Sequence, residues 1–469
     1  MKTLAKRIYK PLPKPIPFLK LFGPSFIILA LGLGSGEVIL WPYLVSKFGL
    51  GIAWGALLGI TFQYFMNMEI ERYALVKGES VFVGLNKMFK WPAYWFIISA
   101  FIGFGLPGII AASAKVFSSV TGIPDFKWIA IAFLLVIGLI LSSGRTVYGI
   151  MEKITRTVLL IGSPFILVLA IFLSKAIDWL ALGQGLIGRG EGFFLLPAGI
   201  SFATFLAAFA YAGAGGNLNL TQSIYVKEKG YGMGKYSQRI SGLFHSRKHE
   251  KIRLSGTDFK LTKENLKRFN VWWKRISLEH LLVFWFIGLV TMSLLMLLSY
   301  STVFSQGVGI EEQGINFVIK EGAIIGQQLI PAIGVLFLAA VSIMLFQTQL
   351  GVLDSNSRII AENFALKRLD ASHQETINLS RIYFAFLWAQ IGFGIILFLL
   401  NFYEPLPLIV LGAVINAFAM FVHLGLVNWM NFKVLPKEIQ ASLLRKLIMI
   451  GIFLFFGFFS AVTLWDQLF

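Results

Sequence analysis

The sequence predicts an all-α polytopic membrane protein, and three observations carry the prediction. First, 57% of the 469 residues are hydrophobic and only 14% are charged, with a mean hydropathy of +0.76. Soluble domains carry about 25% charge and about 45–50% apolar residues. Second, the apolar residues fall into about eleven runs close to the ~20 residues that cross a hydrocarbon core of ~30 Å. Third, the basic residues collect on alternate connections between these runs.

The runs lie at roughly 21–46, 50–74, 93–119, 126–143, 154–174, 194–225, 279–302, 328–353, 381–401, 405–428 and 445–466, and are numbered here as spans 1 to 11. The first is too long for a cleavable leader and continues into a polytopic pattern. Of the 41 Lys+Arg, only Lys47, Lys115, Lys127, Lys175, Arg189 and Lys320 fall on the opposite set of connections. The positive-inside rule therefore puts the amino terminus in the cytoplasm and the carboxyl terminus outside. A cell (plasma or inner) membrane is expected, since no organelle-targeting pattern is present. The net charge of +18 is then a topogenic, lipid-facing feature, because basic residues at the inner surface attract anionic lipid. It does not point to nucleic acid. The absence of cysteine excludes disulfide frameworks, thiolate metal sites and cysteine nucleophiles.

Between the spans, residues 1–20 form a basic arm in which Pro11, Pro13, Pro15 and Pro17 alternate with other residues. This pattern predicts an extended polyproline II lead-in to span 1. Residues 226–276 form a basic cytoplasmic insert. Its His245 and His249 share a helical face but lack a third ligand nearby, so a solvated surface is expected rather than a metal site. The run Gly230, Gly232, Gly234 has no preceding strand and is not a phosphate loop. The outer segment 303–327, with Glu311, Glu312, Lys320 and Glu321, reads as a loop or surface helix.

Two spans differ from the plain Leu/Ile/Phe/Val runs. Span 1 carries Gly32-Leu33-Gly34-Ser35-Gly36-Glu37 at its middle, and span 6 carries Tyr211-Ala212-Gly213-Ala214-Gly215-Gly216-Asn217. Glycine disfavours helix by about 1 kcal/mol per residue relative to alanine, so both clusters predict local unwinding. Unwound backbone in the membrane is tolerated only where protein or a cavity covers it. Gly36-Glu37-Val38-Ile39-Leu40 aligns with Gly216-Asn217-Leu218-Asn219-Leu220 five spans later. An odd offset gives opposite orientation, as an inverted repeat of spans 1–5 (about 21–174) and 6–10 (about 194–428) requires, with 445–466 as an extra span. Paired interrupted helices in corresponding positions are the sequence pointer to a carrier's central site. Small-residue packing explains the Gly32/Gly36 spacing, but neither Glu37 nor the second break.

Glu37 decides between structure and function. A mid-membrane carboxylate costs about 2.5–3.5 kcal/mol. A half-helix dipole returns about 0.3–1 kcal/mol, rising to ~2 when partly buried. The remainder calls for a bound cation, water or a proton. Asn217 is placed to cap the second half-helix, and Gln347, with Thr348 and Gln349 in span 8, is polar where leucine would serve and is a candidate lining of the same cavity. Asp354 and the Glu69, Glu71, Arg72 group fall near cytoplasmic span ends, as paired surface charges or parts of an inner gate rather than substrate ligands.

At these residues the chain resembles the Nramp family of proton-coupled divalent-metal transporters, which have the LeuT fold. Gly23-Pro24 opens span 1 as in that family, Tyr148 to Glu152 resembles its start of span 5, Gln347 falls on its span-8 glutamine, and Ala361-Glu362-Asn363-Phe364 is similar to the end of that span. The family's Asp-Pro-Gly-Asn is replaced by Gly34-Ser35-Gly36-Glu37, and its Met-Pro-His-Asn by Ala214-Gly215-Gly216-Asn217. Its second span-6 histidine falls on Thr221. The resemblance thus implies the fold, and a branch in which substrate and coupling have changed. Loss of the thioether removes soft-ligand preference and leaves carboxylate, carbonyl and water ligands.

The expected function is secondary transport of a cation, most plausibly a divalent metal, by alternating access. The expected substrate-binding residues are Gly34, Ser35, Glu37, Tyr211, Ala214, Gly215, Asn217 and Gln347, with Glu37 and Asn217 as metal ligands. No cofactor is expected beyond a coupling ion, a proton or another. The alternative is an organic solute, its charged groups met by the half-helix N-termini, with Glu37 binding an amine or shuttling a proton and Tyr211 as a pocket wall. A non-transporting sensor or scaffold built on 226–276 is a third reading. No catalytic constellation is present, so an enzyme is not expected.

Overall fold

The computed structural model describes residues 9–243, 251–308 and 312–468. His245, His249, Glu311 and the side chain of Ser35 lie outside the described residues. Among the described residues the chain is helical, with isolated bridges and no strand. Only helices or closed barrels satisfy backbone polar groups within lipid.

Gly23 and Pro24 start the first span, proline standing at the first helical position where its missing N–H is no loss. Helix α1 (Pro24–Gly32) ends at the glycine cluster. A wide π-helical turn, Ser35–Leu40, restarts the chain and leads into α2 (Trp41–Phe48), with a 43° bend between the halves. Next come α3 (Ala53–Lys77), stopped by Gly78 in the left-handed region, and α4 (Val81–Met88), capped by the Ser80 hydroxyl. The third crossing is α5 (Pro92–Phe104) followed by α6 (Gly108–Thr121), interrupted at Pro107. Then follow α7 (Phe126–Ser143), α8 (Val147–Leu173) and the short α9 (Ala176–Gly185).

The second half opens with its own break: α10 (Phe202–Ala210), an irregular stretch, a 3-10 turn at Gly216–Thr221, and α11 (Gln222–Lys229). A continuous helix, Lys263–Phe304, contains α12 (Lys263–His280) and α13 (Gly288–Ser299), joined and ended by π-helical turns. It begins well before the expected start of span 7, so part of the polar insert is a helical extension of that span. The chain continues with α14 (Ile315–Gln328), α15 (Pro331–Ser372), α16 (Leu379–Leu399), α17 (Pro405–Val434) and α18 (Leu443–Leu468).

Among the described residues, eight helices are long and apolar enough to cross a membrane, or nine if the bent α1–α2 pair is one span. The other two expected crossings fail that test for physical reasons. The α3 helix carries Glu69, Glu71 and Arg72, and the break divides span 6 into pieces too short to cross alone. In the most apolar stretch of α15, 61% of residues are buried by protein, against 22% in that of α8. Thus α15 runs through the centre and α8 faces outward.

The proline arm is held by its carbonyls. Arg268 donates to the Leu12 carbonyl at 2.7 Å, Trp272 to that of Pro13 at 2.9 Å, and Arg275 to that of Ile16 at 2.5 Å. Proline has no N–H to offer, so an alternating-proline strand is gripped from its acceptor side.

Candidate functional site

The two breaks meet, and glycine permits it. A Cβ built on Gly32 would lie 2.6 Å from the Gly213 backbone, and one on Gly36 would collide with the Tyr211 carbonyl oxygen. Gly213 has φ +120° and Gly215 φ +69°, conformations that a side chain disfavours. Between the segments is a void of about 10 Å³ lined by Gly32, Gly36, Phe104, Tyr211, Gly213 and Ala214, among others. That is roughly one water-sized sphere.

Each break frees backbone groups that require partners. At span 6, Gln63 of α3 serves twice: its Oε1 accepts from the Gly215 N–H at 3.0 Å, and its Nε2 donates to the Ala210 carbonyl at 2.9 Å. At span 1, the Thr348 hydroxyl of α15 lies 3.2 and 3.1 Å from the Ala30 and Leu33 carbonyls. A Cβ on Gly34 would overlap this threonine.

Glu37 lies in the first turn of the second half of span 1. It is 0% exposed, and neither carboxylate oxygen has a hydrogen-bond partner among the described residues. The side chain therefore meets neither lipid nor open water. Tyr211 lines the void and receives a 3.2 Å hydrogen bond from Asn416, which also donates to the Gly103 carbonyl at 3.1 Å. Asn217 is turned toward span 3, donating to Ser99 at 2.7 Å, while its Oδ1 stays unpartnered. Gln347 is buried with an unpartnered Nε2. Gly34, Gly36, Tyr211 and Ala214 are thus drawn to the crossing. Glu37, Asn217 and Gln347 are buried, but no hydrogen bond joins them to one another. Among the described residues, no group of three or more Asp, Glu, His or Cys is arranged to hold a metal ion. Glu37 follows Gly36 in the chain but does not itself line the void, so any ion accepted beside the crossing would depend on this acid, amide oxygens and backbone carbonyls.

On the side of the amino-terminal arm the bundle is closed by buried ion pairs. Arg358 bonds Asp354 at 2.9 Å and Glu228 at 2.7 Å, and Tyr225 and Tyr383 donate to Asp354 at 3.0 and 2.7 Å. Glu69 pairs with Arg72 at 3.0 Å and Arg445 at 2.5 Å. Asp354 and Glu69, expected as paired surface charges, are instead buried partners, enclosed by the helices that carry Arg358, Tyr383 and Arg445. Glu71 belongs to a different cluster, which sequence reasoning missed. The Ser25 hydroxyl, at the foot of α1, donates to Glu279 at 2.6 Å and lies 2.8 Å from Nδ1 of His280. That ring nitrogen is 3.3 Å from Glu71, which also accepts from Gln222 at 2.5 Å. The cluster ties the first half of span 1 to α3, α11 and α12.

The opposite side is covered by α14. Its Glu321, expected at a surface, is 2% exposed because this helix packs against the start of α15, where Gly334 meets the Gly322 carbonyl. Burial pushes the Glu321 carboxyl up to about 8, opposed by the Thr302 hydroxyl.

No protein-family model matches the chain, and no curated protein matches it in sequence. Solved structures do match in shape. A mutant of the Eremococcus coleocola manganese transporter superposes with a TM-score of 0.70 at 11% identity, covering 99% of this chain and 91% of that one. MHP1, a nucleobase-cation-symport-1 family transporter, gives 0.53 at 13% identity over 94% and 93% of the two chains. MhsT in complex with L-phenylalanine gives 0.50 at 15% over 93% and 97%. The fold is the LeuT type. At these identities the likeness reaches the fold and stops there.

Proposed function

We propose that this chain is a secondary carrier of a cation, a divalent metal held by hard oxygen ligands, and a divergent Nramp-type protein working by alternating access. The observation that carries the reading is Glu37: fully buried, in the first turn of a broken helix, with both oxygens unpartnered. A mid-membrane carboxylate costs about 2.5–3.5 kcal/mol, and no basic side chain forms an ion pair with it among the described residues. A transported cation would compensate it. The void of about 10 Å³ at the crossing suits a dehydrated ion better than a molecule with a carbon skeleton. A manganese transporter shares the fold, so the fold itself accommodates this substrate class.

In this reading the closed arrangement opens on one side by separation of the Arg358 network and on the other by withdrawal of α14, while the glycine crossing stays together. The amino terminus lies in the cytoplasm, a proton or another ion supplies coupling, and Glu37 and Asn217 furnish ligands. An organic solute is the second reading, favoured by the likeness to MhsT, solved with L-phenylalanine. Proteoliposome uptake separates them. Manganese, magnesium or calcium influx that falls at least about ten-fold in Glu37→Gln, the scale of losing about 1.4 kcal/mol of stabilisation, supports the cation. Uptake confined to amino acids or nucleobases moves the assignment to the solute, and no flux of any of these overturns the carrier.

A further inference from the structure

The outward stripe of the continuous helix Lys263–Phe304 changes character once. Lys263, Lys267 and Lys274 lie at intervals of four and seven residues, on one helical face. From Leu278 the same side of the helix turns apolar: Leu278 is 44% exposed, Leu281 37%, Leu282 41% and Phe286 53%. A helix that exposes lysines and then leucines along one line passes from an aqueous headgroup layer into hydrocarbon, and the change fixes the boundary near Leu278. At that boundary lies a groove of about 810 Å³ between the helix and the proline arm.

Its walls include Phe18, Lys263, Lys267, Lys274, Arg275 and Leu278, and no acidic residue. The three lysines form no ion pair or hydrogen bond among the described residues. The nearby Glu264 is taken by Arg268. Arg275 uses one nitrogen on the Pro15 and Ile16 carbonyls, at 3.3 and 2.5 Å. Four cationic groups without a counter-charge thus surround a space whose other walls, Asn270 apart, are apolar. The space opens onto the exposed Leu278–Phe286 side, where an acyl chain has room to lie.

We propose that this groove binds one anionic phospholipid of the leaflet beside the amino-terminal arm. Its phosphate sits among Lys267, Lys274 and Arg275, and its acyl chain lies along Leu278, Leu282 and Phe286. Charge complementarity selects the headgroup, and continuity with the lipid-facing side selects a lipid over a soluble anion. Because Arg275 also grips the arm, the bound lipid holds that arm against the helix that continues into span 7. The inference is independent of what the carrier transports.

The test is native mass spectrometry of the full chain from micelles containing phosphatidylglycerol and phosphatidylcholine. Wild type should retain one phosphatidylglycerol in preference to phosphatidylcholine. Each of Lys267→Gln and Lys274→Gln should weaken that retention about five-fold, on the scale of a single basic residue at an anionic surface. Lys267→Arg should preserve it. The double variant Lys433→Gln/Lys437→Gln, basic positions outside the groove, should match wild type. Size-exclusion elution of every variant verifies folding, and the arginine variant carries the comparison if a glutamine variant does not fold. Equal retention of phosphatidylcholine, or equal losses in the control pair, would overturn the proposal. Displacement of phosphatidylglycerol by millimolar inorganic phosphate would also overturn it, by showing a site for a free anion.

Discussion

In span 6 the peptide groups released by the break are taken up by one side chain from another helix: Gln63 accepts from Gly215 and donates to Ala210. In span 1 the hydroxyl of Thr348 serves the Ala30 and Leu33 carbonyls, and the turn that follows contains Glu37, which bonds to nothing described. Both breaks are glycine-rich and both are buried, so sequence composition treats them as equivalents. The difference is in what remains unspent. Span 6 is clamped and supplies the surface against which span 1 rests, whereas span 1 keeps an acid in reserve.

The largest effect should follow from disturbing the contact itself. Gly213→Val would place a branched side chain at φ +120°, with its Cβ 2.7 Å from Gln63 Oε1 and 2.9 Å from Phe284 Cζ. Strain and overpacking together exceed about 3 kcal/mol, so the variant should fail to elute as a folded species. Normal elution and melting would show that the breaks do not need to touch. Glu37→Gln separates the roles of the two breaks. It should reduce cation flux at least about ten-fold while leaving thermal stability equal or higher, because removing an uncompensated buried carboxylate relieves about 2.5–3.5 kcal/mol. A lower melting temperature with flux retained would make Glu37 a structural cap.

Gln63→Leu should act in the opposite sense, on stability first. It orphans one buried N–H and one buried carbonyl, each worth about 1–3 kcal/mol, and should lower the melting temperature in parallel with expression. Thr348→Val removes only a hydroxyl shared between two carbonyls, so a loss of about 1 kcal/mol is expected. If Thr348→Val proves the more damaging, the assignment of clamped and unclamped breaks must be reversed. The smallest effect concerns the cover, α14. The Glu321 carboxyl sits near 8 in the folded protein, above its value of about 4.3 in an unfolded chain. Between these values the folded state binds the extra proton, so stability declines as pH rises and the loss is complete above about 8. Melting temperatures at pH 6 and pH 9 should differ more in wild type than in Glu321→Gln. Equal differences would remove Glu321 as the cause.

Both breaks were legible in the sequence because glycine clusters interrupt otherwise aliphatic runs, and because one acid stands where an acid is expensive. The groups that satisfy the breaks were not. Gln63 is one polar residue in an amphipathic-looking helix, and its partner Gly215 is 152 positions away. Thr348 lies 315 positions from Leu33. Nothing local distinguishes Gln63 from a surface residue, whereas Thr348 stood out as polar in span 8 and only its carbonyl partners were hidden. The cluster of Ser25, Glu71, Glu279 and His280 escaped for a related reason. Glu279 stood at the presumed edge of span 7, where charge is unremarkable, while the helix in fact begins at Lys263 and buries it. Glu321 looked exposed because its helix is short and lies between spans, and packing against α15 and the turn that carries Thr302 encloses it. Burial of polar residues by distant segments is the part of the site that hydropathy cannot report.

Because the chain contains no cysteine, a single Ala214→Cys at the lining of the central void gives a direct test of alternating access at the crossing. In sealed proteoliposomes of known orientation, an impermeant maleimide should label this cysteine from either side, slowly, and manganese should protect it from both. Labelling from one side only, or full labelling from both that manganese leaves unchanged, would contradict a carrier built around the meeting of spans 1 and 6.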